Sequence, residues 1–233
     1  ADHRYVLIIL NQPFSYPLLK RLWNGCSLRY CADGGANRLH DPRHPHPAAR
    51  LARYLPDLIK GDLDSLRSGV REYYTSKNIT VVEDHDQYST DLMKCISALA
   101  EKEKAEGMED SNLVILGGLS GRLDQTVHTL SFLHKLRKGK RRVFAITDDS
   151  VAWVLPEGEH RIHINHAMLG PTCGLLPLGV DSTILSTTGL RWNLTDTESS
   201  FDGLVSTSNH LVPEEEIVWV KTSRPIWWTA ELR

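Results

Sequence analysis

The sequence predicts an α/β chain: an N-terminal, mostly parallel sheet with helices on both faces, followed by a C-terminal all-β sandwich. Residues 5–146 alternate short apolar or β-branched runs with longer helix-compatible segments. Runs apolar on both faces suit strands covered by helices on both sides, and helices between strands imply parallel crossovers. From about residue 150 the runs become short and are separated by Gly, Pro, Asn and Asp with no convincing helix, the spacing of a sandwich.

In order, strands are expected at 5–10, 28–32, 57–60, 79–82, 113–116 and 142–146, and helices at 14–23, 36–39, 65–77, 90–104 and 123–137. The last helix is the best marked. Leu123, Val127, Leu130 and His134 recur at i, i+4, i+7 and i+11, a stripe expected to pack on the sheet. The charged run 101–106 is expected to be the solvated tail of the preceding helix. Sandwich strands are expected at 151–155, 161–164, 183–186, 204–206, 217–221 and 226–229. The domains are therefore expected at 1–149 (α/β) and 150–233 (sandwich).

Among 233 residues, 27 Lys+Arg stand against 29 Asp+Glu, a balance unlike that of a polybasic binder of nucleic acid or membrane. Hydrophobic residues make up 41%, enough for a sizeable core and too many for a disordered chain. No apolar run approaches the ~20 residues that span a bilayer. The run at 5–10 is too short for a secretory signal, so a cytosolic location is expected. Cys26, Cys31, Cys95 and Cys173 form no C-x-x-C pair and are expected to be reduced thiols. The Pro-rich stretch 42–47, with His40, His44 and His46, reads as a surface loop rather than a metal site.

In open α/β sheets ligands bind beyond the carboxyl ends of the strands, so the segments just past those ends carry the chemistry. The second strand leads into Asp33-Gly34-Gly35-Ala36-Asn37 and the third into Gly61-Asp62-Leu63-Asp64-Ser65. Beyond the fourth come Asp86-Gln87 and Ser89-Thr90-Asp91 at a helix start; beyond the fifth, Gly117-Gly118-Leu119-Ser120-Gly121-Arg122-Leu123-Asp124 opens another helix. Singly, Asp91 and Asp124 read as residues that stabilise a helix N-terminus, and Asp62 and Asp64 as turn residues. Together on one sheet edge, the four carboxylates repel one another unless a cation neutralises them, and Mg²⁺ takes such carboxylates along with substrate phosphates. Glycines in the 117–122 segment let backbone N–H groups approach phosphate at a helix N-terminus, and Arg122 adds a bidentate donor. This points to a nucleoside triphosphate with Mg²⁺ and to phosphoryl-type transfer or hydrolysis.

These segments, in this order and spacing, resemble thiamin pyrophosphokinases, with wording nearest the animal enzymes. The likeness continues through Cys173-Gly174-Leu175-Leu176-Pro177-Leu178-Gly179, Thr188-Gly189-Leu190-x-Trp192-x-Leu194 and Val205-Ser206-Thr207-Ser208-Asn209. The resemblance implies Mg²⁺-dependent transfer of a pyrophosphoryl group from ATP to the hydroxyl of thiamin, giving thiamin diphosphate and AMP. It also implies a homodimer with active sites at the subunit interface. By motif, it makes Asp62, Asp64, Asp91 and Asp124 catalytic, with Asp62, Asp64 and Asp91 toward the metal. It turns Asn11, Asp33, Gly34, Gly35, Asn37, Gly117, Gly118, Ser120, Gly121 and Arg122 toward the nucleotide, and Gln87, Thr90, Trp192, Ser206 and Asn209 toward thiamin. Either Asp91 or Asp64 would accept the hydroxyl proton. A tryptophan face suits the cationic thiazolium by roughly 0.5–2 kcal/mol. The residues alone also allow a Mg²⁺-dependent hydrolase or transferase acting on another hydroxyl, or a non-catalytic binding module.

Overall fold

The structure, a computed structural model, describes residues 4–41 and 53–233. The chain divides into two compact units, Ala1–Thr126 with Lys140–Arg142, and Val127–Gly139 with Val143–Arg233. The stretch 42–47, with His44 and His46, lies outside the described residues.

The first unit holds β1 (Tyr5–Ile9), β2 (Leu28–Ala32), β3 (Leu58–Gly61), β4 (Thr80–Glu83) and β5 (Asn112–Leu116). They pair in parallel in the order β5-β1-β2-β3-β4, with Val6 opposite Leu28 and Leu113. Val6, Leu7, Ile8 and Ile9 are all fully buried, so β1 is covered on both faces, which is why its sequence does not alternate. The connections are α1 (Tyr16–Gly25), α2 (Gly35–His40), α3 (Ser68–Ser76) and α4 (Asp91–Ala105). Helix α1 starts where Ser15 Oγ accepts the Leu18 N–H at 3.4 Å, with Pro17 in the first turn. Right-handed crossovers carry α1, α2 and α3 along one face as the chain steps from β1 to β4. The return to β5 runs the other way, which puts α4 on the opposite face, packed across β2 and β3. The reversal between β1 and β5 is the switch point where such sheets bind ligands.

One residue in the charged tail of α4 departs from expectation. Glu103 is 2% exposed. Its carboxylate accepts the Ser111 N–H at 2.8 Å and faces Arg141 Nη2 at 2.9 Å. Burial is tolerable there because a distant cation and a backbone donor satisfy both oxygens. Helix α5 (Leu123–Leu136) also differs: Leu123 and Val127 are 76% and 55% exposed, and the buried positions are Thr129 and Leu133. None of the four stripe residues is buried, and Thr129 and Leu133 lie on another face, so apolar periodicity marks a stripe on a helix without fixing which face a neighbour covers.

The second unit contains β6 (Val143–Ile146), β7 (Ser150–Leu155), β8 (Gly158–His163), β9 (Leu169–Leu176) and β10 (Ser182–Thr188). It continues with β11 (Thr197–Ser200), β12 (Ser206–His210), β13 (Ile217–Thr222) and β14 (Ile226–Leu232). They form antiparallel layers, β12-β9-β14-β7-β6 and β11-β10-β13-β8. Leu155, Leu175, Leu185, Val218, Val220 and Trp228 fill the space between. Strands β9 and β11 were not expected, and the strand expected at 204–206 starts later, at Ser206. Strand β9 hides behind Gly170, Pro171 and Gly174. A Cβ on Gly170 would lie 2.5 Å from Glu231 Cδ, and one on Gly174 would lie 2.9 Å from the Ser206 carbonyl oxygen. Both glycines therefore serve close packing rather than a turn. All four cysteines are buried free thiols.

Candidate active site

The site begins where β2 and β3 end. Asp33 follows β2 with a left-handed backbone (φ 43°) and is 3% exposed. Its N–H donates to the Lys60 carbonyl at 3.0 Å, and its Oδ2 accepts the Ser65 N–H at 3.1 Å. Asp62 follows β3, and its N–H donates to Asp91 Oδ1 at 3.3 Å, from the first turn of α4. Gly61 makes this convergence possible: a Cβ there would stand 2.6 Å from Asp33 Cβ and 2.9 Å from Asp91 Oδ1. One carboxylate oxygen each from Asp33, Asp62 and Asp91 lies within 4.8 Å of the others.

Packing anions this tightly costs free energy, and the carboxyl groups register it. Burial, reinforced by Asp91 and Asp62, pushes Asp33 up to about 6 despite the Ser65 hydrogen bond that works against it. Burial and the neighbouring Asp62 push Asp91 up as well. Asp33 Oδ1 is buried with no hydrogen-bond partner among the described residues. An unpartnered buried oxygen beside two more carboxylates fits a hard divalent cation such as Mg²⁺. Without metal, folded Asp33 binds its proton more tightly than the unfolded chain does. Its stabilising contribution is therefore full below the ordinary value of 3.8 and lost as pH rises through about 6. In EDTA, urea midpoints are expected to fall across that window, and to fall less in Asp33→Asn. Identical pH profiles for the two proteins would refute the assignment.

The remaining predicted acids sit apart from this trio. Asp64 is exposed; its N–H donates to Asp62 Oδ1 at 3.3 Å and its Oδ1 accepts the Ser65 hydroxyl at 3.0 Å. Asp124, in the first turn of α5, is exposed and forms a bidentate pair with Arg122 at 2.6 and 3.1 Å. That pair lowers the Asp124 carboxyl below its ordinary range.

At the switch point, Gly117, Gly118 and Gly121 take φ of 90°, 86° and 81°, a backbone only glycine adopts cheaply. Gln12, just past β1, bonds both the hydroxyl and the carbonyl of Ser120. Sequence reading missed Gln12, although its signal is the one that marks the other loops: a polar side chain just past the carboxyl end of a strand. Asn11 Oδ1 accepts from Arg38 Nε at 2.9 Å, and its side chain lies over Gly34. Asn37 latches α2 to the loop after β3, donating to the Ser65 carbonyl at 2.7 Å and accepting the Arg67 N–H at 3.1 Å. Gly35 is demanded by packing, since a Cβ would fall 2.2 Å from the Ile9 carbonyl oxygen. Gly35→Ala must push α2 off β1, backbone against backbone, and is expected to cost about 1–3 kcal/mol or more. A urea midpoint equal to that of the unaltered protein would contradict this.

Between β4 and α4 the Asp86 carboxylate accepts the Tyr88 N–H at 2.9 Å and the Ser89 hydroxyl at 2.5 Å. Gln87 is exposed, and Thr90 caps α4 in extended conformation. In the second unit Trp192 is 52% exposed. Asn209 holds its backbone on both sides: Oδ1 accepts the Trp192 N–H at 3.2 Å and Nδ2 donates to the Trp192 carbonyl at 2.8 Å. The Arg191 guanidinium stands 4.8 Å from the ring centroid and His210 packs at 5.2 Å. Ser206, which opens β12, is buried. Thr207 and Ser208, between it and Asn209, line a groove of about 370 Å³.

Carboxylates and a glycine loop at the C-terminal edge of a doubly wound sheet, with a sandwich after it in the chain, define a phosphoryl-transfer enzyme of the nucleotide-dependent kind. The family described as thiamin pyrophosphokinase, catalytic domain, matches residues 19–145, and its vitamin B1 binding domain matches residues 159–227. Thiamine pyrophosphokinase 1 of Oryza sativa subsp. japonica is 42% identical over 245 residues, covering 100% of this chain and 89% of the relative. Thiamin pyrophosphokinase 1 of Caenorhabditis elegans is 30% identical, covering 91% and 82%. The solved thiamin pyrophosphokinase from Candida albicans superposes with a TM-score of 0.88 at 28% identity, covering 100% of this chain and 90% of that one. The chain belongs to the thiamin pyrophosphokinase family.

Proposed function

We propose that this enzyme transfers the pyrophosphoryl group of ATP to the hydroxyl of thiamin at the edge formed by Asp33, Asp62, Asp91 and the Gly117–Arg122 loop. The observation that carries the reading is the trio of converging carboxylates with an unpartnered buried oxygen. Asp62 and Asp91, with Asp33 beside them and Asp64 at the rim, would hold Mg²⁺. When bound, the ion neutralises triphosphate charge and makes the β-phosphorus a better target. The chain's own groups do the rest. Backbone N–H groups of the 117–121 segment and the Arg122 fork hold the phosphates, Arg122 exchanging its Asp124 partner for phosphate. Asn11 and Asn37 border the nucleotide, with Gly34 and Gly35 letting the backbone approach. Gln87 and Thr90 border the thiamin hydroxyl, whose proton passes to Asp91 or Asp64 as oxygen attacks in line and AMP departs. The Trp192 face receives the thiazolium cation, and Ser206 and Asn209 support that pocket.

Residues 1–149 serve as the catalytic domain and residues 150–233 as a thiamin-binding, dimerising domain. A second copy completes the site. Supporting this are large apolar side chains left in water, Leu123 at 76%, Phe201 at 68% and Val127 at 55% exposed, which suit a protein interface. Free cysteines, and no helix among the described residues long and apolar enough to cross a membrane, fit a cytosolic enzyme.

Phosphorus NMR of the protein with ATP, Mg²⁺ and thiamin tests the reaction. AMP and thiamin diphosphate are expected together, and only when thiamin is present. ADP with thiamin monophosphate would mean γ-phosphoryl transfer, and absence of turnover in folded dimer would reject the reading.

A further inference from the structure

One buried cation stands beside the acidic trio. Lys94, one turn into α4, is 3% exposed. Its Nζ donates to the Asp84 carbonyl at 2.8 Å and stands 3.7 Å from Asp91 Oδ1. Burying an ammonium is costly before its partners offset it, and Leu or Met at this position would pack α4 on the sheet without that cost. The charge must therefore be explained by what it touches.

It touches the two ends of one loop. Asp84 follows β4, Asp91 opens α4, and Gln87 and Thr90 lie between them. The near end is itself fixed to β3: the Asp84 N–H donates to the Gly61 carbonyl at 2.8 Å, and Asp84 Oδ2 pairs with Lys60 Nζ at 3.2 Å. From there Asp84 Oδ1 accepts the Asp86 N–H at 3.1 Å, and Asp86 bonds Tyr88 and Ser89 in turn. The loop's outer side is open to solvent, with Tyr88 97% exposed, so its position relative to the acidic trio is set from below.

We propose that Lys94 is a positioning residue that clamps the 84–91 loop to Asp91 and so keeps the thiamin-facing side chains in register with the acidic edge. The inference rests on the reading of this loop as the acceptor side of the site. Two variants of the full chain test it. Lys94→Met removes both charge and donor, whereas Lys94→Gln keeps a donor toward the Asp84 carbonyl. Lys94→Met is expected to raise KM for thiamin roughly tenfold while KM for ATP stays within about twofold. Amide hydrogen exchange at residues 86–89 is expected to speed up roughly tenfold in the same protein. Lys94→Gln should recover most of both effects.

An equal rise in both KM values would overturn the clamp, as would unchanged KM values with only the active fraction reduced. Unchanged exchange at 86–89 would do the same. Should Lys94→Met fail to fold, Lys94→Gln carries the test against the unaltered protein: thiamin KM and exchange at 86–89 within about twofold are expected, and a roughly tenfold rise in either rejects the hydrogen bond as the clamp. Hydrogen exchange requires no turnover, so it judges the clamp even if the unaltered protein makes no thiamin diphosphate, an outcome that would sink the proposed reaction instead.

Discussion

Asp62→Asn and Asp91→Asn proteins are expected to fold normally and to turn over thiamin at least about 10²–10³-fold more slowly than the unaltered enzyme. The two halves of that expectation come from one geometry. Three carboxylate oxygens within 4.8 Å repel one another, so an amide in place of a carboxylate relieves the folded state. Without metal Asp62→Asn should melt at the same temperature or higher, and Asp91→Asn close to the parent, because the relief there is offset by the loss of the carboxylate 3.7 Å from the buried Lys94 ammonium. The chemical step, in contrast, loses a charge placed where the triphosphate must be neutralised, and such losses appear mainly in kcat. Thermal unfolding in EDTA beside phosphorus NMR turnover separates the two effects. Variants that melt well below the parent would mark these aspartates as structural, and near-parental turnover would remove them from the reaction.

Glu103→Ala should behave in the opposite way. It takes from Arg141 its nearer carboxylate, Glu103 Oε2 at 2.9 Å, leaving Asp110 Oδ1 at 3.3 Å as its remaining partner, and leaves the Ser111 N–H without its acceptor. Breaking a buried pair from one side costs about 3–5 kcal/mol when nothing replaces the partner; with Asp110 in reach the loss falls toward the lower end, still a large fraction of the roughly 5–15 kcal/mol that holds a typical domain. Urea unfolding should show that loss, while KM for ATP and thiamin in the folded fraction stays unchanged. Replacing both partners with methionine should recover much of the stability, because no uncompensated charge remains. If Glu103→Ala alone is neutral, the pair is worth no more than a surface contact.

These two cases also mark where sequence reading works and where it stops. The acids at the edge were legible because short apolar runs locate the C-terminal ends of β2 and β3, and topology brings those ends together. Within that edge, sequence could not apportion them. Asp33 reads as a nucleotide-side residue, yet it packs against Asp62 and Asp91 because Gly61 has no side chain to keep them apart. Glu103 sits in a charged run that reads as solvated, and only Arg141, distant in the chain, shows that it is not. Strand β9 lost its signature to Gly170 and Gly174, whose conformity is to neighbours in space rather than in sequence. Helix α5 was visible from its stripe, but which face of the helix is covered depends on what lies beside it.

The backbone at Asp33 carries one more implication, for how the site can change. At φ 43° an ordinary L-residue is strained, while Asp and Asn tolerate the region by bonding locally and Gly enters it freely. An alanine scan would therefore overstate the carboxylate's importance at this position, adding a conformational penalty to an electrostatic one. Only Asn varies the charge at nearly constant shape, and only Gly varies the side chain at no conformational expense. A mutational survey that reads tolerance as a single score will see one intolerant residue at 33 where there are two separable constraints, one on the chain's path and one on its chemistry.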